Sequence, residues 1–135
     1  MTISNRPPEP PESPGGSFNP ARTDALREFL GNARFRGLLA MLVAECRERP
    51  AKWRDMHRRG DVAALRAEGH ALAVAAASVG AVALGNAASE LERLKVLSWS
   101  APLIDTLEHS ARDTLKAAQH LLRQLDAERG HLGLH

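Results

Sequence analysis

His70 stands at the head of an alanine and valine run, Glu68-Gly-His-Ala-Leu-Ala-Val-Ala-Ala-Ala-Ser-Val-Gly-Ala-Val82, in which only Glu68 and His70 are strongly polar. A neutral imidazole is a competent nucleophile near pH 7, because its unperturbed pKa is about 6.5. Apart from Glu68 two residues before it, the run offers no carboxylate, cysteine or second histidine, so its chemistry depends on which way it points. The remaining candidates are weaker. His109 and His120 are three helical turns apart, about 16 Å along an axis, too far to share one metal. His57 with Arg58 and Arg59 reads as a cationic helix end that complements the helix dipole. Cys46 falls in an apolar stripe and reads as a core residue, and His131 and His135 fall in the terminal segment. No Ser-His-Asp arrangement, glycine-rich phosphate loop or paired-carboxylate motif can be placed, which argues against a free-standing enzyme.

These residues must be positioned by helices. No alternating strand pattern occurs, while caps and stops punctuate the chain from residue 20 onward. Asn19 followed by Pro20 opens a short helix to about Leu30, and Gly31 and Asn32 close it. A second helix runs from about Arg34 to Arg58, with an apolar stripe of Leu38, Leu39, Leu42, Val43, Cys46, Trp53 and Met56. Pro50 predicts a kink or break near Arg49. Asp61 caps a third helix, about Val62 to Val79, which Gly80 ends. A fourth covers roughly Val82 to Leu97. Ser100, with Pro102 in the first turn, opens a fifth that reaches about Arg129 and stops at Gly130. The expected fold class is all-α: an antiparallel four-helix bundle with a short extra N-terminal helix. Residues 1–19, with Pro7, Pro8, Pro10, Pro11 and Pro14, read as a disordered proline-rich tail. Residues 20–130 form the bundle, and 131–135 a flexible C-terminal tail.

On the third helix Leu65, Leu72 and Val79 recur at seven-residue steps, with Val62, Gly69 and Ala76 on the same stripe. At about 100° per residue, His70 lies about 140° from Leu65 and about 160° from Leu72, and so faces out of the core. The side chains near it on that face, Ala67, Ala71, Ala73, Val74 and Ala77, are small and apolar, with Arg66 as the one cation. Such a face reads either as a packing surface or as a docking surface. A contact made through these side chains alone would depend only weakly on salt.

Composition bounds the partners. The 135 residues suit one domain, 44% apolar residues suffice for a core, and the net charge is only +2, from 18 basic and 16 acidic residues interleaved along the chain. No basic stripe points to nucleic acid. No segment reads as a membrane span or a secretion signal, and a single cysteine fits a reducing cytoplasm.

The stretch from Gly60 to Leu94 resembles the core of histidine-containing phosphotransfer domains, the four-helix modules of bacterial two-component phosphorelays. Gly60-Asp61, His70, Leu72, the small run Ala75-Ala76-Ala77, Gly80-Ala81 and Leu91-Glu92 fall in register with that family, and the likeness extends over about residues 34–128. It implies that His70 is the phosphoacceptor, relaying a phosphoryl group between aspartates of receiver domains as a phosphotransfer intermediate. Arg66 would support the phosphate, and the small apolar residues would dock the receiver or a hybrid sensor kinase. No cofactor or metal is implied, and a monomer is expected, with a homodimer as the alternative. Two positions depart from the pattern. The family's lysine three residues after the histidine is Ala73, and its glycine four after is Val74. These departures keep two other readings open: a degenerate docking module that carries no phosphate, and a helical dimerisation adaptor.

Overall fold

The computed structural model describes residues 16–133. Within them the chain is all-helical and contains no strand: α1 (Pro20–Leu30), α2 (Asn32–Glu48), α3 (Pro50–Arg58), α4 (Val62–Ala77), α5 (Val82–Glu92), a 3-10 turn (Leu97–Trp99) and α6 (Ser100–Gly133). The expected proline-rich tail lies outside the described residues up to position 15. Residues 16–19 are fastened instead: Ser17 is buried, the Ala83 amide donates to its carbonyl, and the Asn19 amide donates to the Gly80 carbonyl at 3.1 Å.

Local chemistry explains most boundaries. The Asn19 side chain accepts from the Arg22 amide and Pro20 opens α1; the Asp61 side chain accepts from the Ala64 amide and opens α4. Pro50 has no amide to donate, so the expected long second helix divides at Arg49 into α2 and α3. Gly80, at a φ of 80°, adopts a left-handed conformation that side chains disfavour, and lets the Ala81 amide close back onto the Ala76 carbonyl.

Two ends differ from the sequence expectation. α5 stops at Glu92 rather than near Leu97: Leu94 is drawn into the core and Val96 is extended, so the chain can reach the start of α6. α6 continues past Gly130 to Gly133. One interior glycine costs about 1 kcal/mol relative to alanine, too little to end a long helix by itself.

The core joins all these helices. Phe35, Leu39 and Leu42 of α2, Trp53 of α3, Leu65 and Leu72 of α4, Leu84 and Leu91 of α5, and Ile104 and Leu107 of α6 are essentially solvent-free. α4 packs chiefly on α5, α6 packs on α2 and α5, and α1 lies on α2. Ion pairs fasten α6 along its length: Arg54 bridges to Asp105 and Glu108, Arg36 to Asp126, and Arg27 to Glu128. Cys46 is buried in this core, and burial, with the Glu45 charge as a lesser cause, pushes its thiol up to about 11. It therefore stays protonated near neutrality. Folded protein is expected to react with a thiol-specific disulfide reagent only as it unfolds, so labelling at pH 8 should be slow in buffer and fast in denaturant.

Candidate functional site

α4 and α5 form an antiparallel hairpin about Ala81, and that symmetry sets residue 70 opposite residue 92. Gly69 makes the approach close. A Cβ built there would lie 2.5 Å from the Glu92 nitrogen and 2.6 Å from the Ala88 carbonyl oxygen, both backbone atoms that cannot rotate aside. Farther along, Gly85 faces the methyl group of Ala76. The last turn of α5 is thus brought against the middle of α4.

His70 projects from this seam with 67% of its side chain exposed. Its Nδ1 lies 2.8 Å from Glu92 Oε2. A carboxylate only accepts, so Nδ1 carries the proton and donates it; in the neutral ring the lone pair is then on Nε2. The histidine that seemed alone in its run has a carboxylate after all, supplied across the hairpin. Arg66, one turn before His70, donates from Nε to the Glu92 main-chain carbonyl at 3.2 Å. That carbonyl belongs to the last residue of α5, where no following turn of α5 claims it. Arg66, His70 and Glu92 therefore form one cluster.

The expected docking residues separate into two sets. Ala67, Val74 and Ala77 are exposed, Val74 by 58%. Ala71 and Ala73 are only half-buried, and Ala73 packs against the core on the side facing α5. A glutamate at Ala77 should leave the fold intact, whereas one at Ala73 should cost some stability. At fully buried Leu72 it should unfold the domain, because an unpaired buried charge has no compensation. Helix content by circular dichroism is expected to fall in the order Leu72→Glu, Ala73→Glu, Ala77→Glu. The face around His70 is also not wholly apolar. α5 places the carboxylate of Glu92 against His70, and the exposed Arg93 and Glu90 pair with each other at 3.4 Å near the end of that helix.

Glu68, the other polar residue at the head of the run, points inward. One carboxylate oxygen accepts from Arg49 at 2.8 Å and the other from the Trp53 indole at 3.0 Å. This buried cluster joins α2, α3 and α4, and lies on the opposite side of α4 from the imidazole.

Two other histidines have structural places. Ser100 Oγ donates to the Leu97 carbonyl at 2.6 Å, so it accepts from His57 Nδ1 at 2.5 Å and fixes the end of α3 to the start of α6. Ser100 is wholly buried and cannot reach a substrate. His109 Nε2 lies 3.3 Å from Asp113. Among the described residues no group of three or more His, Cys, Asp or Glu side chains could hold a metal, and no helix is long and apolar enough to cross a membrane.

The fold and the site together define a helical bundle that presents one histidine, oriented by a carboxylate, on a face of small side chains. Comparison of the chain with protein-family models, with curated proteins and with solved structures finds no match.

Proposed function

We propose that the protein is a histidine phosphotransfer module in which His70 carries the phosphoryl group between receiver-domain aspartates. In this reading α2, α4, α5 and α6 are the four bundle helices, α1 is an addition, and the module works in the cytoplasm as a monomer. The observation that carries the proposal is the His70–Glu92 pair on an exposed, small-residue face. A nucleophile that must receive phosphorus from another protein needs a free lone pair, a fixed ring and room for the partner.

The chemistry follows from the ring. The Nε2 lone pair attacks phosphorus in line, a P–N bond forms, and the P–O bond to the receiver's carboxylate breaks. The receiver leaves as a free carboxylate. No proton need depart, since Nδ1 keeps its hydrogen and the ring becomes an N-phosphorylated imidazolium. Glu92 sits against that new positive charge, which a hydrogen-bonded carboxylate stabilises. The dipole of α5, negative at its C-terminal end, acts in the same sense. Arg66 is the one basic side chain a turn away and would face the phosphoryl oxygens through its terminal nitrogens.

Incubation with a panel of phosphorylated receivers should give acid-labile phosphate on the wild type and none on His70→Gln. A panel that never labels the protein would overturn the relay.

The second reading, a docking module that carries no phosphate, draws on Arg66. Its Nε is already committed to a main-chain carbonyl, and Ala73 and Val74 supply no replacement for the family's lysine and glycine. The pair Ala73→Lys, Val74→Gly separates the readings. Transfer that appears only in the double variant means a docking module; transfer already present in the wild type means a relay.

A further inference from the structure

We infer that Arg22, on the appended helix α1, selects which receiver docks at His70 by pairing with a carboxylate on that receiver's surface. The inference rests on the proposed approach of a receiver to His70, and adds the charge that the receiver must carry. α1 is fixed on both sides of Arg22. The Asn19 amide donates to the Gly80 carbonyl at 3.1 Å, and the hydroxyl of buried Thr23 donates to the Val79 carbonyl at 2.9 Å. The first turn of α1 is thereby held over the α4–α5 turn, and Arg22 reaches the outer groove between those two helices.

That groove continues the His70 face. Ala73 and Ala77 form its α4 wall, and Gly85, Asn86 and Ser89 its α5 wall. Ala73 lies one helical turn beyond His70, and Ser89 one turn before Glu92, on the same sides of their helices. Ala77 is seven residues from His70, about 10 Å along α4, so Arg22 stands at the far end of one surface about 10–15 Å long. The groove holds about 190 Å³, less than the roughly 300 Å³ at which small-molecule sites begin, and its small side chains let a protein surface close on it. Arg22 is the one charged residue in its lining. Asp24 lies on the other side of α1, in the cleft against α6. Arg22 is exposed, and its guanidinium engages no described residue; only its amide is bonded, to the Asn19 side chain. A permanent cation at the end of an otherwise uncharged groove favours a partner with a carboxylate there, and repels one with a basic side chain.

The test is a titration of receiver domains into the nitrogen-labelled whole protein and two variants, at low and high salt. Both variants keep the fold, because α1 is capped through the Arg22 amide alone and a glutamate in a first helical turn suits the dipole. A receiver that binds should shift the amides of Ala77, Gly85 and Asn86 together with that of His70. Arg22→Ala should weaken its binding about three- to fivefold and flatten the salt dependence; Arg22→Glu should weaken it about tenfold. Arginine in place of the receiver's facing carboxylate should restore binding to Arg22→Glu. Binding that depends on Arg22 without label on His70 would support the inference and remove the relay. Equal binding of wild type and Arg22→Glu by a receiver that labels His70 would overturn the inference and leave the relay standing. Absence of binding by every receiver would overturn both.

Discussion

Gly69→Ala is expected to cost about 2 kcal/mol and to disconnect His70 from Glu92. The added methyl would meet the Glu92 nitrogen at 2.5 Å and the Ala88 carbonyl oxygen at 2.6 Å, and relief requires α5 to move away from α4. Overpacking of this kind costs about 3 kcal/mol at the upper end of its usual range, and the better helix propensity of alanine returns about 1 kcal/mol. For a domain of this size the melting temperature should fall by about 8 °C. The second consequence is chemical. With the last turn of α5 displaced, the imidazole loses its acceptor, and Nδ1 and Nε2 share the proton as in a free histidine. Thermal melts and the nitrogen shifts of the His70 ring read the two effects separately. An unchanged melting temperature would mean that the hairpin is looser than its close backbone contacts imply.

The second large effect is expected at Glu68. Removing this carboxylate in Glu68→Ala leaves the indole hydrogen of wholly buried Trp53 without an acceptor and takes from Arg49 its closest partner. Breaking a buried charge pair from one side costs about 3–5 kcal/mol. Arg49 is partly exposed and keeps Glu45 at 3.6 Å, which puts the expected loss near 3 kcal/mol. The combined variant Glu68→Leu, Trp53→Phe removes acceptor and indole donor together, and should recover much of that loss. Chemical denaturation of the singles and the double gives the coupling. Additive losses would show that the carboxylate and the indole do not depend on each other.

Much of the helical framework is legible from local rules. Asn19-Pro20, Pro50, Asp61 and Gly80 each act within a few residues, and the seven-residue recurrence of Leu65, Leu72 and Val79 turns His70 outward. Longer-range facts decide the rest. Glu92 is twenty-two positions from His70. Only the hairpin's symmetry about Ala81 brings them opposite, and only the missing side chain at Gly69 brings them within hydrogen-bond reach. A reader who folded the chain about Ala81 could have found the pair. Glu68 is harder to place, because a carboxylate next to the buried stripe reads as solvated until Arg49 and Trp53 are seen beneath it. The end of α5 was likewise decided by tertiary need: Leu94 goes to the core instead of extending the helix.

If Glu92 holds His70 for transfer, its charge should matter as well as its hydrogen bond. Glu92→Gln can still accept from Nδ1 but cannot neutralise the phosphorylated ring, and should slow labelling about tenfold, equivalent to about 1.4 kcal/mol of barrier. The decisive observation is phosphorus and nitrogen resonance on protein with nitrogen-labelled histidine, recorded after incubation with a phosphorylated receiver. Phosphorus coupled to Nε2 of His70, with the proton retained on Nδ1 and the signal lost in His70→Gln, is the expected result. Phosphate on Nδ1 or on another histidine, or a spectrum without phosphohistidine from any receiver, would contradict it.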